Sequence, residues 1–285
     1  MNISGWDRPA GGRLELGLRV GTDGRTELAS RRQAFPLRMT VPHYLDAQDE
    51  TMAFIYVQNP TGGLFGGDRL VVKVDAGNET RAHLTTQSAT KVYRTDDRGA
   101  EQHVDLSVGD GAYLEYVPDT LIPHARSRLE QSLCVRLGRG ASFVGTELVA
   151  PGRLARGERF AYTRLNLSTS VRGPADSELC AETMQLEPAR RAVSAAGVLG
   201  QWAYVGTLIA VTDRPGLSGA LAQTMDDVLG EPDGAVAAAG ELPYGSGAVA
   251  RVLAESAPAA RRALDEAWAA ARRALLGLAL PPRRK

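Results

Sequence analysis

The chain has 285 residues, of which 44% are hydrophobic and 23% charged, a composition typical of a folded globular protein. Its 33 basic and 33 acidic side chains give a formal net charge of zero, so a basic nucleic-acid-binding surface is not expected. No apolar run reaches the roughly 18 residues that span a membrane, and residues 1–13 contain no apolar signal segment.

Most of the chain alternates apolar and polar residues with a period of two, which is typical of half-buried strands. The clearest runs cover 14–20, 70–74, 102–108 and 129–137. Turns rich in Gly, Asn and Asp separate the runs, because these residues accept the positive φ that tight turns need. Short strands at near-regular spacing predict a mainly β fold, and the period leaves a sandwich, a barrel and a stacked-sheet solenoid open.

A glycine-rich segment at 59–69 interrupts the strands. Four glycines fall within six of its residues: Gly62, Gly63, Gly66 and Gly67. Such a run allows tight turns, close backbone approach, or a concave row of N–H groups that binds an anion. Asp68 and Arg69 follow, where a phosphate loop needs Lys and then Ser or Thr. We therefore expect a turn or partner-docking loop, and keep a nucleotide-dependent hydrolase as the alternative.

A polar strand is predicted at 84–94. Its candidate functional side chains are Thr85, Thr86, Gln87, Lys91 and Tyr93. Thr and Gln side chains on a strand hydrogen-bond to neighbouring strands, so the segment is interpreted as a docking surface or as a polar interior wall. An ordinary Thr-rich strand fits the spacing equally well.

Three glutamates interrupt otherwise apolar strands: Glu115, Glu147 and Glu182. A carboxylate on a buried face is costly unless it is paired, hydrated or bound to a metal. Inward-facing glutamates would mark a wet channel or an ion site, and outward-facing ones would be ordinary solvated positions. The alternation alone does not decide between these orientations.

Histidine and cysteine residues are few and dispersed, at His43, His83, His103, His124, Cys134 and Cys180. No CxxC, HxH, HExxH or GxSxG pattern occurs, so the sequence predicts neither a catalytic constellation nor a tight transition-metal site. Two separate thiols are typical of a reducing compartment, and we expect a cytoplasmic protein.

Helical periodicity is confined to the last quarter of the chain. The first predicted helix presents an apolar face of Leu217, Leu221, Met225, Val228 and Leu229. The second begins at Pro258, and its apolar stripe is Leu264, Trp268, Ala271, Leu275 and Leu278. The arginines of this helix are expected mostly off that stripe. Residues 235–241 and 248–254 predict a hairpin between the helices.

Three segments appear together in a fixed order: GGLFGGD at 62–68, LTTQSATKVYR at 84–94 and LEYVPD at 114–119. As a set they resemble the UreD (also called UreH) family of urease accessory proteins, and weaker matches extend over essentially the whole chain. Two departures stand out. Pro60-Thr61 replaces the usual Pro-Pro before the glycines, and the C-terminal residues 281–285 differ from the family pattern.

The resemblance implies a single domain over 1–285, with a β-rich part at 13–212 and a helix–hairpin–helix part at 215–280. The implied fold is a solenoid-like stack of short β-sheets with a pair of α-helices near the C-terminus. The glycine loop and the polar strand at 84–94 would be family motifs for partner binding.

The resemblance also implies a cytoplasmic scaffold without catalytic activity. Its partners would be apo-urease, the accessory protein UreF and, through UreF, the GTPase UreG, with no nucleic acid and no membrane. It would assist nickel insertion without a tightly bound cofactor. Acidic positions of the family match Asp68, Glu115, Glu147 and Glu182, which would line a transient nickel path. A metallochaperone with a tight nickel site is disfavoured because His and Cys do not cluster.

Overall fold

The computed structural model describes residues 11–95, 97–230 and 232–281 of the chain. This part contains eighteen strands: β1 Gly11–Val20, β2 Thr26–Ala34, β3 Arg38–Met39, β4 Ala53–Gln58, β5 Gly63–Leu64, β6 Arg69–Ala76, β7 Arg81–Thr86, β8 Thr90–Val92, β9 Ala100–Val108, β10 Tyr113–Tyr116, β11 Leu121–Pro123, β12 Arg128–Leu137, β13 Ser142–Val149, β14 Arg164–Arg172, β15 Glu178–Leu186, β16 Tyr204–Thr212, β17 Ala235–Glu241 and β18 Gly247–Ala254. It also contains two α-helices, α1 Ser218–Leu229 and α2 Ala257–Leu276, and 3₁₀ turns at Leu154–Arg156, Pro174–Asp176 and Pro243–Gly245.

The strands form two sheets. Sheet A has the order β15-β14-β12-β9-β6-β1-β2, in which the five central strands are parallel and the two edge strands antiparallel. Sheet B has the order β17-β18-β16-β13-β10-β7-β4-β3, with β4, β7, β10 and β13 parallel. The short parallel strands β5, β8 and β11 form a third, narrow face beside sheet B.

The chain winds repeatedly through these three faces. β6, β7 and β8 make one turn, β9, β10 and β11 make the next, and β12 and β13 begin another. Register is kept between turns, so that Val74, Leu106 and Val135 fall in one column of sheet A. The predicted mainly β, solenoid-like stack is therefore confirmed, and of the three architectures that the period left open the chain adopts the solenoid.

Apolar side chains pack on both sides of sheet B. One core lies between sheets A and B and includes Leu106 and Leu114. The other lies between sheet B and the helices and includes Met225, Leu264 and Trp268. The central strands of sheet B therefore send alternate side chains into different cores, as Tyr113 and Leu114 of β10 do. The single-domain prediction over 1–285 stays a prediction, since residues 1–10 and 282–285 lie outside the described part.

Helix α2 follows the predicted stripe closely. Its N-terminus is capped by the Ser256 hydroxyl, which accepts a hydrogen bond from the Ala259 N–H at 3.3 Å. Four predicted stripe residues are buried: Leu264, Trp268, Ala271 and Leu275. The expectation for Leu278 is wrong, because Gly277 adopts a left-handed conformation (φ 73°) and ends the helix before it.

Helix α1 and the hairpin also match the sequence pattern. Leu221, Met225 and Leu229 are buried, but Val228 is 38% exposed, so the predicted face was too wide on that side. Strands β17 and β18 pair antiparallel, as the hairpin prediction requires. Within the described ranges, no helix is both long enough and apolar enough to cross a membrane.

Candidate functional site

A polar row crosses the inward face of sheet B near the last turns of the solenoid. Glu147 on β13, Thr207 on β16 and Arg251 on β18 are register partners on adjacent strands, so their side chains point to the same side. Val249 and Leu253, which flank Arg251, pack on the core between the sheets, which identifies that side as the interior. Polar groups here interrupt an otherwise apolar interior.

Sheet A presents a second polar set opposite this row. Gln102 on β9 and Gln131 on β12 are register partners, and Glu182 on β15 pairs with Thr169 on β14. The Gln131 amide donates a hydrogen bond of 2.8 Å to Glu147 Oε1, which joins the two sheets through the interior. The two polar sets therefore enclose one site.

An interior cavity of about 50 Å³ lies between these polar sets, and its lining includes Gln102, Gln131, Glu147, Thr169, Glu182 and Thr207. A volume of this size holds about three water molecules, and the polar lining offers them partners. A second cavity of about 50 Å³ adjoins it, because both are lined by Thr90, Gln102 and Tyr116. The second cavity reaches the glycine loop at Gly62 and Gly63, so free space with a mixed polar and apolar lining extends along the solenoid.

Glu147 is the carboxylate most perturbed by this interior. Burial, reinforced by the negative charge of Glu182, raises its pKa from 4.5 to about 7, against the opposing effects of Arg251 and Gln131. A carboxyl with a pKa near neutrality exists in both forms at physiological pH.

Glu182 is only half satisfied. Its Oε1 atom forms an ion pair with Arg251 Nη1, whereas its Oε2 atom is buried and has no hydrogen-bond partner among the described residues. Gln102 Oε1 is a second buried oxygen without a partner in that part of the chain. Both residues line the cavity, so two unsatisfied oxygens belong to its wall. Bound water or a passing cation would satisfy them.

Glu115 does not share this interior. It is register-paired with Val144 of the neighbouring strand, whose side chain belongs to the helix-side core, and it is fully buried beneath α2. The prediction that it lines a path with Glu147 is therefore corrected. Since strand side chains alternate between faces, positions 115 and 147 fall on opposite sides of the same sheet.

The Glu115 carboxylate is saturated with donors. It accepts hydrogen bonds from Tyr113 Oη at 2.7 Å, His83 Nδ1 at 2.6 Å, Trp268 Nε1 at 3.1 Å and Arg272 Nη1 at 3.0 Å. Burial alone raises the pKa of Glu115, but His83, Arg272 and Tyr113 together outweigh it and hold the pKa below its ordinary value. This carboxylate is an anchor for helix α2 and is closed to a mobile cation.

The burial of Arg272 was not predicted from the sequence. Its side chain is 0% exposed, and it also donates to Asp46 Oδ2 at 2.5 Å, so one guanidinium bridges two carboxylates. Arg272 follows Trp268 by four residues and therefore lies on the same helix face. The prediction that the arginines of this helix lie mostly off the apolar stripe is thus wrong for Arg272. Asp46 lies in a loop, and no sequence pattern marked it.

Asp68 serves the glycine loop. Its Oδ2 atom accepts a hydrogen bond of 2.8 Å from the Phe65 N–H, and its own N–H donates to the Phe65 carbonyl at 3.1 Å. The carboxylate thus occupies a position that a bound anion would need, which weighs against nucleotide binding by this loop. Asp68 is not among the lining residues of either interior cavity.

Glycine is required at the four loop positions for two different structural reasons. Gly62 and Gly67 adopt positive φ, at 78° and 85°. Gly63 and Gly66 do not, and there a side chain is excluded by space. A Cβ at Gly63 would collide with the carbonyl oxygen of Lys91, and one at Gly66 would lie 3.0 Å from that of Arg98.

Some polar side chains of the segment 84–94 form hydrogen bonds within the fold, and others are exposed at the surface. Thr85 is buried and donates to the Val117 carbonyl at 2.7 Å, and the Thr86 hydroxyl accepts from the Asp119 N–H at 2.8 Å. Gln87 and Lys91 are exposed. The threonines therefore hold neighbouring turns of the solenoid together, while Gln87 and Lys91 are free to meet a partner.

An aromatic ladder continues from the short third face. Phe65, Tyr93 and His124 each follow one of its three strands, and the Phe65 and Tyr93 rings stack at 4.5 Å while His124 meets Tyr93 edge-on at 5.0 Å. Burial and the nearby cationic Arg153 lower the pKa of His124. Phe65 is 46% exposed, so this end of the ladder lies at the surface.

No group of three or more His, Cys, Asp or Glu side chains in the described ranges is arranged to hold a metal ion. Glu147 and Glu182 both line the cavity, and the charge of Glu182 helps to raise the Glu147 pKa. Carboxylates of this kind bind cations weakly and exchangeably.

Comparison with known proteins agrees with the motifs. The family model of the UreD urease accessory protein matches residues 10–285. Urease accessory protein UreD of Mycolicibacterium gilvum is 38% identical over 84% of this chain and 86% of its own length. UreD 2 of Streptomyces griseus is 37% identical, with 85% and 82% covered, and UreD of Cenarchaeum symbiosum is 34% identical, with 84% and 83% covered. The chain belongs to the UreD family of urease accessory proteins.

Proposed function

We propose that this chain acts in urease maturation as a scaffold that binds apo-urease and assists delivery of nickel to the urease active site. The family membership and the names of its relatives support the maturation role. As part of the same proposal, UreF binds the chain directly, UreG joins through UreF, and the complex works in the cytoplasm without nucleic acid or membrane.

The observation that carries the delivery role is the polar cavity between the sheets. Two glutamates, one of them with a pKa raised to about 7, line an interior that can hold water and contains unsatisfied oxygens. A conduit needs binding that is weak and repeated, so that an ion both enters and leaves. Glu147 and Glu182 are therefore the proposed transient nickel ligands, and nickel is cargo in this scheme.

Asp68 and Glu115 take other roles in the proposal. Asp68 holds the glycine loop in shape at one end of the free space, and Glu115 anchors helix α2 on the far face of sheet B. The exposed Phe65, Gln87 and Lys91 are the proposed partner-binding residues of the family motifs.

No enzymatic step is proposed. The alternative, nucleotide hydrolysis at the glycine loop, lacks the Lys and the Ser or Thr of a phosphate loop, and Asp68 fills the place of the anion. The purified chain is expected to hydrolyse neither GTP nor ATP. Hydrolysis without UreG that is lost on Asp68→Asn would contradict this.

The binding half of the proposal is tested by co-purification. The full-length chain, tagged, should retain apo-urease and UreF from a mixture of purified proteins, and UreG only when UreF is present. Lys91→Glu with Phe65→Ser should weaken retention while leaving the melting temperature near that of the wild type. Arg190→Glu, an exposed change remote from the loop, is the matched control. Failure of the wild-type chain to retain either protein would refute the scaffold role.

A further inference from the structure

Arg251 joins the two sheets at the end of the interior cavity. It projects from the inward face of β18, and its Nη1 atom pairs with Glu182 of β15, which belongs to the other sheet. The same Nη1 donates a hydrogen bond of 3.0 Å to Thr207 Oγ1, the register partner of Glu147. One cation thus contacts both polar sets that enclose the cavity.

The Arg251–Glu182 pair also separates the interior from the surface. Glu182 lines the interior cavity and, in addition, a surface pocket of about 270 Å³. Arg251 lines only the surface pocket, together with Cys180, Leu242 and Tyr244. The ion pair therefore stands at the boundary between enclosed polar space and bulk water.

The two side chains of this ion pair differ in their exposure to solvent. The Arg251 side chain is 51% exposed, whereas Glu182 is 20% exposed and its second oxygen is buried without a partner in the described part of the chain. An arginine that is half in water can rotate outward and regain hydration at little cost, unlike the fully buried Arg272. Its departure would leave Glu182 facing the cavity with both oxygens available.

We propose that Arg251 is a movable plug of the interior cavity, which neutralises Glu182 while no cation is present and yields this carboxylate to an entering divalent cation. The inference rests on the proposed function and adds its regulation. A guanidinium and a divalent cation compete for the same oxygens, because two positive charges within a few ångströms repel each other. The plug therefore keeps the affinity low and returns the site to its closed form after the ion has left.

The test measures binding of Ni²⁺ alone to the full-length purified chain by titration calorimetry. Arg251→Gln removes the charge and should tighten Ni²⁺ binding at least about fivefold, which is the effect between two unit charges about 4 Å apart in water and therefore a lower bound for a divalent cation. Arg251→Lys keeps the charge and should bind like the wild type. Arg172→Gln, which breaks a surface pair with Asp176 away from the cavity, is the matched control. Melting temperatures verify that each variant is folded, and Arg251→Met replaces the Gln variant if that one is not.

The outcomes distinguish the proposed role of Arg251 from cation binding by Glu147 and Glu182. Unchanged affinity in Arg251→Gln, combined with weaker binding in Glu147→Gln/Glu182→Gln, would overturn the plug and keep the cation site. Tighter binding in both Arg251→Gln and Arg251→Lys would also overturn it, since charge would then not be the cause. If the Glu147→Gln/Glu182→Gln variant binds Ni²⁺ as well as the wild type, these two glutamates do not bind the cation. The proposed role of Arg251 would then also be refuted.

Discussion

Sheet B carries two carboxylates that look alike in sequence, the fully buried Glu115 and the half-buried Glu147. Glu115 faces helix α2 and accepts hydrogen bonds from four side chains, one of them the buried Arg272. Glu147 faces the interior, where one amide contacts it and a cavity lies beside it. The two acids therefore differ both in exposure and in the number of hydrogen-bond donors around the carboxylate.

The same contrast explains the opposite pKa shifts. Both carboxylates are penalised by burial, but only Glu115 recovers the loss from its partners, so its pKa is lowered while that of Glu147 rises to about 7. A saturated carboxylate fixes a helix, and an unsaturated one leaves coordination capacity for water or a cation. In the proposed function, one face of the sheet therefore serves stability and the other serves cation binding.

The largest expected effect comes from the helix side. Arg272→Met would leave Glu115 and Asp46 buried without their shared cation, and should lower the free energy of unfolding by about 3–5 kcal/mol. Arg273→Met, at the adjacent exposed position, should change it by less than about 0.5 kcal/mol. Urea denaturation of both variants measures the difference. A loss below about 1 kcal/mol for Arg272→Met would mean that the network is not an anchor.

The second effect concerns pH, and its sign differs between the two acids. Because the folded state holds the Glu147 proton more tightly than the unfolded chain, stability from this group falls as pH rises from 4.5 to about 7. At about 1.4 kcal/mol per pH unit, Glu147→Gln should gain up to about 3 kcal/mol relative to wild type between pH 4 and pH 8. Glu115, with a lowered pKa, contributes stability above its ordinary pKa that is lost on acidification.

Denaturation of wild type and Glu147→Gln at several pH values tests this sign directly. Glu187 directly follows β15 of sheet A, and its pKa is lowered. The control variant Glu187→Gln should therefore show no gain in stability over wild type at high pH. Parallel stability curves for Glu147→Gln and wild type would show that the Glu147 pKa is ordinary, and the contrast between the two faces would lose its electrostatic basis.

A smaller effect is expected at the end of the free space near the glycine loop. Gly63→Ala should destabilise the chain by about 1–3 kcal/mol, because its Cβ would meet the Lys91 carbonyl and overpack a rigid site. Gly219→Ala, in helix α1 with open space around it, should instead stabilise by about 0.5–1 kcal/mol. Thermal melting of the two variants gives the comparison, and equal shifts would contradict the close-packing explanation.

Much of this architecture was predictable from particular residues. Alternation over 102–108 and 129–137 predicted the strands, and the 3.6-residue spacing of Leu264 and Trp268 predicted the buried stripe of α2. The three glutamates were recognised as unusual because acids seldom occur in apolar strands. These patterns arise from residues close together in sequence, and the folded chain retains the same spacing of buried side chains along each strand and helix.

The orientation of each glutamate was not predictable in the same way. Which face a strand position adopts depends on register with its neighbours. The partner of Glu115, Arg272, lies 157 residues away along the chain, and Asp46, which Arg272 also binds, lies 69 residues from Glu115. Arg251 and Glu182 are also brought together only by the meeting of sheets A and B. Long-range pairing, which no single-sequence period records, decided the site.

The central claim is that Glu147 and Glu182 serve cation passage while Glu115 serves stability, and the nickel content of matured urease tests it most directly. Urease activated with the Glu147→Gln/Glu182→Gln variant should contain clearly less nickel per active site than with wild type, although the variant still co-purifies with apo-urease and UreF. Glu101→Gln/Glu130→Gln, which changes two exposed acids on sheet A, should give the wild-type content. Full nickel loading by the Glu147→Gln/Glu182→Gln variant in an intact complex would contradict the account.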